Sequence, residues 1–121
     1  ALIWWFEDSP RLTARARDAM LTGGATIYTS AASAYEIANK HQLGKLPQVA
    51  ALLDDYAYHI SSQGFLDLPV TAAHARAAGL LAIEHRDPFD RILIAQSRTD
   101  NLVLVSNERL FDSFGVERLW E

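Results

Sequence analysis

The chain has 121 residues, of which 50% are hydrophobic and 21% are charged, so it is long enough for one compact domain with its own core. It contains no cysteine, which excludes disulfides and thiolate metal sites and agrees with a cytoplasmic location. The formal net charge of −4 argues against a broadly basic nucleic-acid-binding surface, and the sequence has no apolar run near the ~20 residues that span a bilayer.

Short β-branched runs alternate with longer stretches of helical spacing along the whole chain. In chain order, the pattern predicts helices at residues 2–6, 13–21, 33–41, 49–61, 71–81, 87–101 and 109–114, and strands at residues 26–29, 65–70, 102–105 and 116–119. Thr13, Thr71 and Asp87 are expected as helix N-caps. Strands that alternate with helices predict an α/β fold, in which helices cover both faces of a parallel sheet. The strand at residues 102–105 is expected to be buried on both faces because it is continuously apolar.

Four acidic residues follow predicted strands or open the next helix. They are Glu36, Asp87, Asp90 and Glu108. In an open parallel sheet, ligands bind beyond the carboxyl ends of the strands, so these side chains are candidates for one site. Carboxylates that converge repel one another unless a cation or a proton lies between them. Hard oxygen ligands favour Mg²⁺ or Mn²⁺.

Each of these acids also has a purely structural interpretation. Ser33 and Glu36 have the spacing of a capping box, and Asp87 followed by Pro88 is a common start of a helix. Asp90 would be favoured in a first helical turn by the helix dipole, and Glu108 could simply begin the last helix. The residues alone leave both interpretations open.

Several segments of the chain resemble VapC toxins of the PIN-domain family. They are residues 1–5 (ALIWW), 30–38 (SAASAYEIA), 43–47 (LGKLP), 85–96 (HRDPFDRILIAQ) and 104–108 (LVSNE), with Gly115-Val116 and Leu119-Trp120 near the end. The block Asp87-Pro88-Phe89-Asp90-Arg91 is the most specific of them. The resemblance implies a PIN-like three-layer fold in a single domain over residues 1–121. It also implies a metal-dependent endoribonuclease, usually a homodimer, that a VapB-type antitoxin holds inactive.

The resemblance assigns roles to the four acids and to several polar residues. Glu36 and Asp90 match metal-binding acids of the family, and Asp87 matches an accompanying acid. Glu108 stands where the family usually has Asp, so its longer side chain is expected to act through water or as an auxiliary ligand. The residues expected to contact RNA are Arg86, Arg91, Lys40, Lys45 and Ser106.

The family begins with a strand that ends in a catalytic Asp, directly before the segment that residues 1–5 match. We therefore expect the natural protein to carry such a strand and its Asp upstream of Ala1. The alternative to an enzyme is a catalytically silent PIN-like module that binds an antitoxin or RNA, and whose acids only cap helices.

Overall fold

A computed structural model of the chain describes residues 2–7, 9–21, 26–82, 87–106 and 109–120. The chain divides into two compact units: a first unit formed by Ala1–Ala25 with Val70–Glu121, and a second unit formed by Thr26–Pro69. The sequence predicts one domain, and this stays a prediction. In the described ranges, no helix has the length and apolar character that crossing a membrane requires.

The helices and strands follow the predicted order along the chain. The α-helices are α1 (Leu2–Phe6), α2 (Ala14–Leu21), α3 (Ala31–Gln42), α4 (Ala50–Asp54), α5 (Tyr56–Ser62), α6 (Ala72–Leu80) and α7 (Pro88–Thr99). The strands are β1 (Tyr28–Ser30), β2 (Leu66–Leu68), β3 (Leu104–Val105) and β4 (Arg118–Leu119), and short 3-10 helices lie at Pro47–Val49 and Arg109–Phe114.

The second unit is a parallel strand pair joined by helices. β1 lies beside β2, with Tyr28 opposite Leu66 and Ser30 opposite Leu68. The connection runs through α3, α4 and α5, because parallel neighbours need a long crossover. The buried apolar side chains of the second unit include Ile37, Leu52 and Phe65.

The first unit contains a second parallel pair and two apolar clusters. β3 pairs with β4, and the two strands are joined through the 3-10 helix. One cluster consists of Leu12, Ala16 and Trp120, and the other of Ile94, Phe111 and Val116. Both units therefore have parallel strands connected by helices, and the predicted α/β class is confirmed.

Two sequence-based predictions of local structure are wrong. The single helix expected at residues 49–61 is broken at Asp55, whose φ of −145° and ψ of 58° are not helical. Two adjacent aspartates stand at this break, and Asp competes with the helix for backbone hydrogen bonds. The strand expected at residues 102–105 is only two residues long and half-buried, and Val103 before it is 49% exposed.

Buried hydroxyl groups lie beside β1 in the second unit. Thr29 Oγ1 and the Tyr56 hydroxyl are buried and have no hydrogen-bond partner among the described residues. Burial raises the pKa of Tyr56 above its ordinary value of 10.0, and the nearby charge of Asp67 raises it further. The nearby Thr29 side chain lowers the pKa of Tyr56 and so offsets part of this increase. The Thr29 and Tyr56 hydroxyls nevertheless do not have the geometry of a hydrogen bond.

Replacing Tyr56 by Phe is expected to stabilise the fold by about 1 kcal/mol, because it removes a buried hydroxyl that lacks a partner. It should also reduce the loss of stability in alkali. The folded-state pKa of Tyr56 lies above the unfolded value, so ionisation leaves the fold unaffected below about pH 10 and destabilises it as the pH rises from there through the folded-state pKa. Urea unfolding at neutral and alkaline pH measures both effects, and Tyr58→Phe, at a 61% exposed residue, is the matched control. Equal alkaline losses in wild type and Tyr56→Phe would contradict this assignment.

Candidate active site

The start of α7 carries two of the predicted acids. Asp87 is the N-cap, and its Oδ1 accepts hydrogen bonds from the backbone N–H groups of Phe89, at 2.9 Å, and Asp90, at 3.5 Å. Pro88 occupies the first helical position, where a missing N–H costs nothing. The predicted capping role of Asp87 is therefore confirmed, and one of its carboxylate oxygens is engaged within its own helix.

Asp90 lies in the first turn of α7 and is half-buried. The N-terminal end of a helix carries partial positive charge, so it favours a carboxylate at this position. The cap orders the main chain directly before Asp90, chiefly through the 2.9 Å bond from the Phe89 N–H to Asp87. The two acids therefore have different structural roles: Asp87 caps the helix, and Asp90 lies in the first turn that this cap orders.

Arg91, the next residue, contacts the C-terminal end of α6. Its Nε donates to the Ala78 carbonyl at 3.1 Å, and its Nη2 donates to the carbonyls of Gly79 at 3.2 Å and Leu81 at 3.0 Å. The last carbonyls of a helix have no partner within the helix, and Arg91 supplies one. The sequence suggested an RNA contact for Arg91 and gave no sign of these bonds, since their partners are 10 to 13 residues away.

Glu36 lies on α3 in the second unit, and the capping box with Ser33, the alternative explanation for this acid, is not formed. The N-cap is Ser30, three residues before Ser33, and its Oγ accepts from the Ala32 N–H at 3.1 Å. Ser33 is therefore inside the helix, and a capping role no longer accounts for Glu36. Instead, Glu36 Oε2 lies 3.7 Å from Lys40 Nζ, one turn along the helix.

Lys45, another residue that is expected to contact RNA, lies in the turn after α3. Gly44 has a φ of +80°, a left-handed conformation that glycine adopts readily, and the Lys45 N–H donates to the Lys40 carbonyl at 2.9 Å. His41 Nδ1 lies 2.6 Å from the Leu46 carbonyl and must donate to it. These bonds fix the turn, and Lys45 is exposed on it.

The chain after β3 holds Ser106 by its backbone. The Ser106 N–H donates to the Leu119 carbonyl at 3.3 Å, and its own carbonyl accepts from Arg118 Nη1 at 2.9 Å. Arg118 also makes a two-point contact with Asp112, at 2.8 and 3.0 Å. Sequence reasoning missed this pair, although it orders the segment that carries a predicted site residue.

Two predicted site residues, Glu108 and Arg86, lie outside the described residues. Among the described residues, no group of three or more His, Asp or Glu side chains is placed to hold a metal ion. Asp87 and Asp90 belong to the first unit and Glu36 to the second. All four predicted ligands are carboxylates, a donor set that fits Mg²⁺ or Mn²⁺ rather than a softer ion.

Comparison with known protein families gives one match. A family model described as the PIN domain matches residues 1–117, which include parts of both compact units and every helix and strand up to β3. Comparisons with curated proteins and with solved structures found no match to the chain.

Proposed function

Because the chain belongs to the PIN domain family, we propose that it is a metal-dependent endoribonuclease, the toxin of a VapBC-type toxin–antitoxin system. PIN domains are generally nucleases, use divalent metal ions and often occur in toxin–antitoxin systems. The family match over residues 1–117 carries the proposal. The VapC-like segments of the sequence, above all Asp87-Pro88-Phe89-Asp90-Arg91, support its finer part.

We propose that Glu36 and Asp90 hold Mg²⁺ or Mn²⁺, with Glu108 as a further ligand and Asp87 in an accompanying role. The supporting observations are local: the capping box that would have explained Glu36 is absent, and the α7 cap leaves Asp90 at the positive end of its helix. When bound, the metal supplies Lewis acidity that makes a water nucleophilic at neutral pH and offsets charge on the RNA phosphate.

The basic residues are proposed to hold the RNA backbone. Lys45 is exposed, and the Lys40 ammonium lies 3.7 Å from Glu36 in a partly exposed ion pair, which is weak enough to exchange for a phosphate. Ser106 and Arg86 remain proposed contacts on the resemblance alone. Arg91 is the exception, because at least three of its five N–H donors already serve α6.

The proposed partners follow from the same resemblance. They are the RNA substrate, a VapB-type antitoxin and a second copy of the chain in a homodimer. The cytoplasm, where such an RNA substrate is found, is the proposed location.

A silent binding module is the second candidate, and one observation favours it. Asp87, one of the four predicted acids, serves as a helix cap. If Asp90 and Glu36 had equally structural roles, the protein would bind an antitoxin or RNA without cleaving it.

RNA cleavage by the full-length protein separates the two candidates. We expect a structured RNA to be cut with Mg²⁺ or Mn²⁺ and not with a chelator. Glu36→Gln is expected to lower the cleavage rate by at least about a hundredfold, because it removes ligand charge at nearly constant size. Glu117→Gln, at an exposed residue, is the matched control. Cleavage that persists in the chelator, or a Glu36→Gln variant with the wild-type rate, would contradict the proposal, and an intact RNA in every condition would favour the silent module.

A further inference from the structure

We propose that Arg91 is a positioning residue for the metal site: it fixes the first turn of α7, and with it Asp90, against the C-terminal end of α6. This inference rests on the proposed role of Asp90. It replaces the RNA-binding role that the sequence suggested for Arg91.

The contacts of Arg91 join two helix ends. Its Nε and Nη2 donate to three carbonyls at the end of α6, at 3.0 to 3.2 Å, while its backbone N–H donates to the Asp87 carbonyl at 3.1 Å. A guanidinium is planar and rigid, so several bonds from one group restrict both translation and rotation. The turn from Asp87 to Arg91 is thereby tied to α6 at one side and to its own cap at the other.

Electrostatics gives the same contact a second effect. The C-terminal end of α6 carries partial negative charge, and the first turn of α7 carries the carboxylates of Asp87 and Asp90. The positive charge of Arg91 lies against the carbonyls at this negative end of α6. Its removal would leave the negative end of α6 without this positive charge.

The same bonds argue against a direct contact with RNA. A phosphate that captured Arg91 would have to replace three hydrogen bonds, two of them part-buried, and each such bond contributes about 0.5–1.5 kcal/mol. Lys45 offers the contrast, because it is exposed and the described bond at this residue is made by its backbone. Substitution of Arg91 is therefore expected to weaken metal binding and spare RNA binding, and substitution of Lys45 is expected to do the reverse.

The test measures Mn²⁺ affinity by calorimetry and RNA affinity in a chelator, with no turnover, for the full-length protein. We expect Arg91→Gln to weaken Mn²⁺ binding by about 10–100-fold, the usual effect of losing a group that supports a metal ligand. Its RNA affinity in the chelator should stay within about twofold, because we propose no direct phosphate contact for Arg91. Arg91→Lys keeps the charge and is expected to restore part of the Mn²⁺ affinity.

Two variants serve as controls. Arg98→Gln removes an exposed arginine two turns further along α7 and should leave Mn²⁺ affinity unchanged. Lys45→Gln should weaken RNA binding and spare Mn²⁺ binding. Thermal melting establishes that each variant is folded, and Arg91→Lys carries the test if Arg91→Gln does not fold.

The outcomes distinguish this inference from the proposed function. Wild-type Mn²⁺ affinity in both Arg91 variants, or a loss of RNA affinity in Arg91→Gln as large as that in Lys45→Gln, would overturn the positioning role and leave the nuclease proposal standing. Failure of the wild-type protein to bind Mn²⁺ would overturn the proposed function itself, and the positioning role with it.

Discussion

Asp90→Asn is expected to lower the rate of RNA cleavage by at least about a hundredfold while the protein stays folded. An amide keeps the size of the side chain but removes the charge that a hard metal ion requires. The helix should tolerate the change, because loss of a first-turn carboxylate costs only about 0.3–1 kcal/mol. The measurement is the single-turnover cleavage rate, with thermal melting as the check on folding.

Asp87→Asn is the matched comparison, since it alters the same turn. Asn is as good an N-cap as Asp, so the bond to the Phe89 N–H should survive. We expect a smaller loss of activity than in Asp90→Asn, and Asp54→Asn, at an exposed acid on α4, should have no effect. A folded Asp90→Asn protein with the wild-type rate would remove Asp90 from the metal site and leave it as a helix-dipole residue.

His74→Ala is expected to lower the free energy of unfolding by about 3 kcal/mol, because it removes a helix cap, a bond to a carboxylate and buried volume together. His74 is 3% exposed. Its Nδ1 accepts the Thr71 N–H at 3.1 Å, so Nε2 carries a proton and donates to Asp100 Oδ2 at 3.0 Å. This side chain thus ties the start of α6 to Asp100, the C-cap of α7.

Two variants separate these contributions. His74→Gln should recover the capping box, since Gln at this position accepts the N-cap N–H as well, and should be intermediate in stability. Asp100→Asn keeps a side-chain acceptor and should cost less than His74→Ala. Urea unfolding measures all three, and a loss below about 0.5 kcal/mol in His74→Ala, typical of a surface substitution, would contradict the role assigned to this contact.

Local sequence signals predicted the helix starts well. Thr13 Oγ1 accepts from the Ala16 N–H at 3.1 Å, and Thr71 and Asp87 cap α6 and α7 as expected. These caps are recognisable because donor and acceptor lie within three residues. The start of α3 was misplaced because Ser30 and Ser33 are equally good N-cap residues three positions apart, and the structure uses the one at the end of β1.

Contacts between distant residues left no signal in the sequence. The bonds of His74 to Asp100 and of Arg91 to Ala78 span 26 and 13 residues, and no periodicity or short motif encodes them. The sequence does predict the chemistry of the candidate site, because carboxylates that follow strands or open the next helix indicate a site for Mg²⁺ or Mn²⁺. The shared placement of Glu36 and Asp90 stays a prediction, because it depends on the packing of the whole chain rather than on either helix.

Glu36 and Asp90 are both proposed as metal ligands, and a calorimetric Mn²⁺ titration of four full-length proteins is the decisive measurement of that proposal. These are the wild type, Glu36→Gln, Asp90→Asn and the double variant. If both acids are ligands, each single change weakens Mn²⁺ binding by about tenfold or more, and the double change weakens it at least as much as either single change. Wild-type Mn²⁺ affinity in either single variant would contradict the proposal.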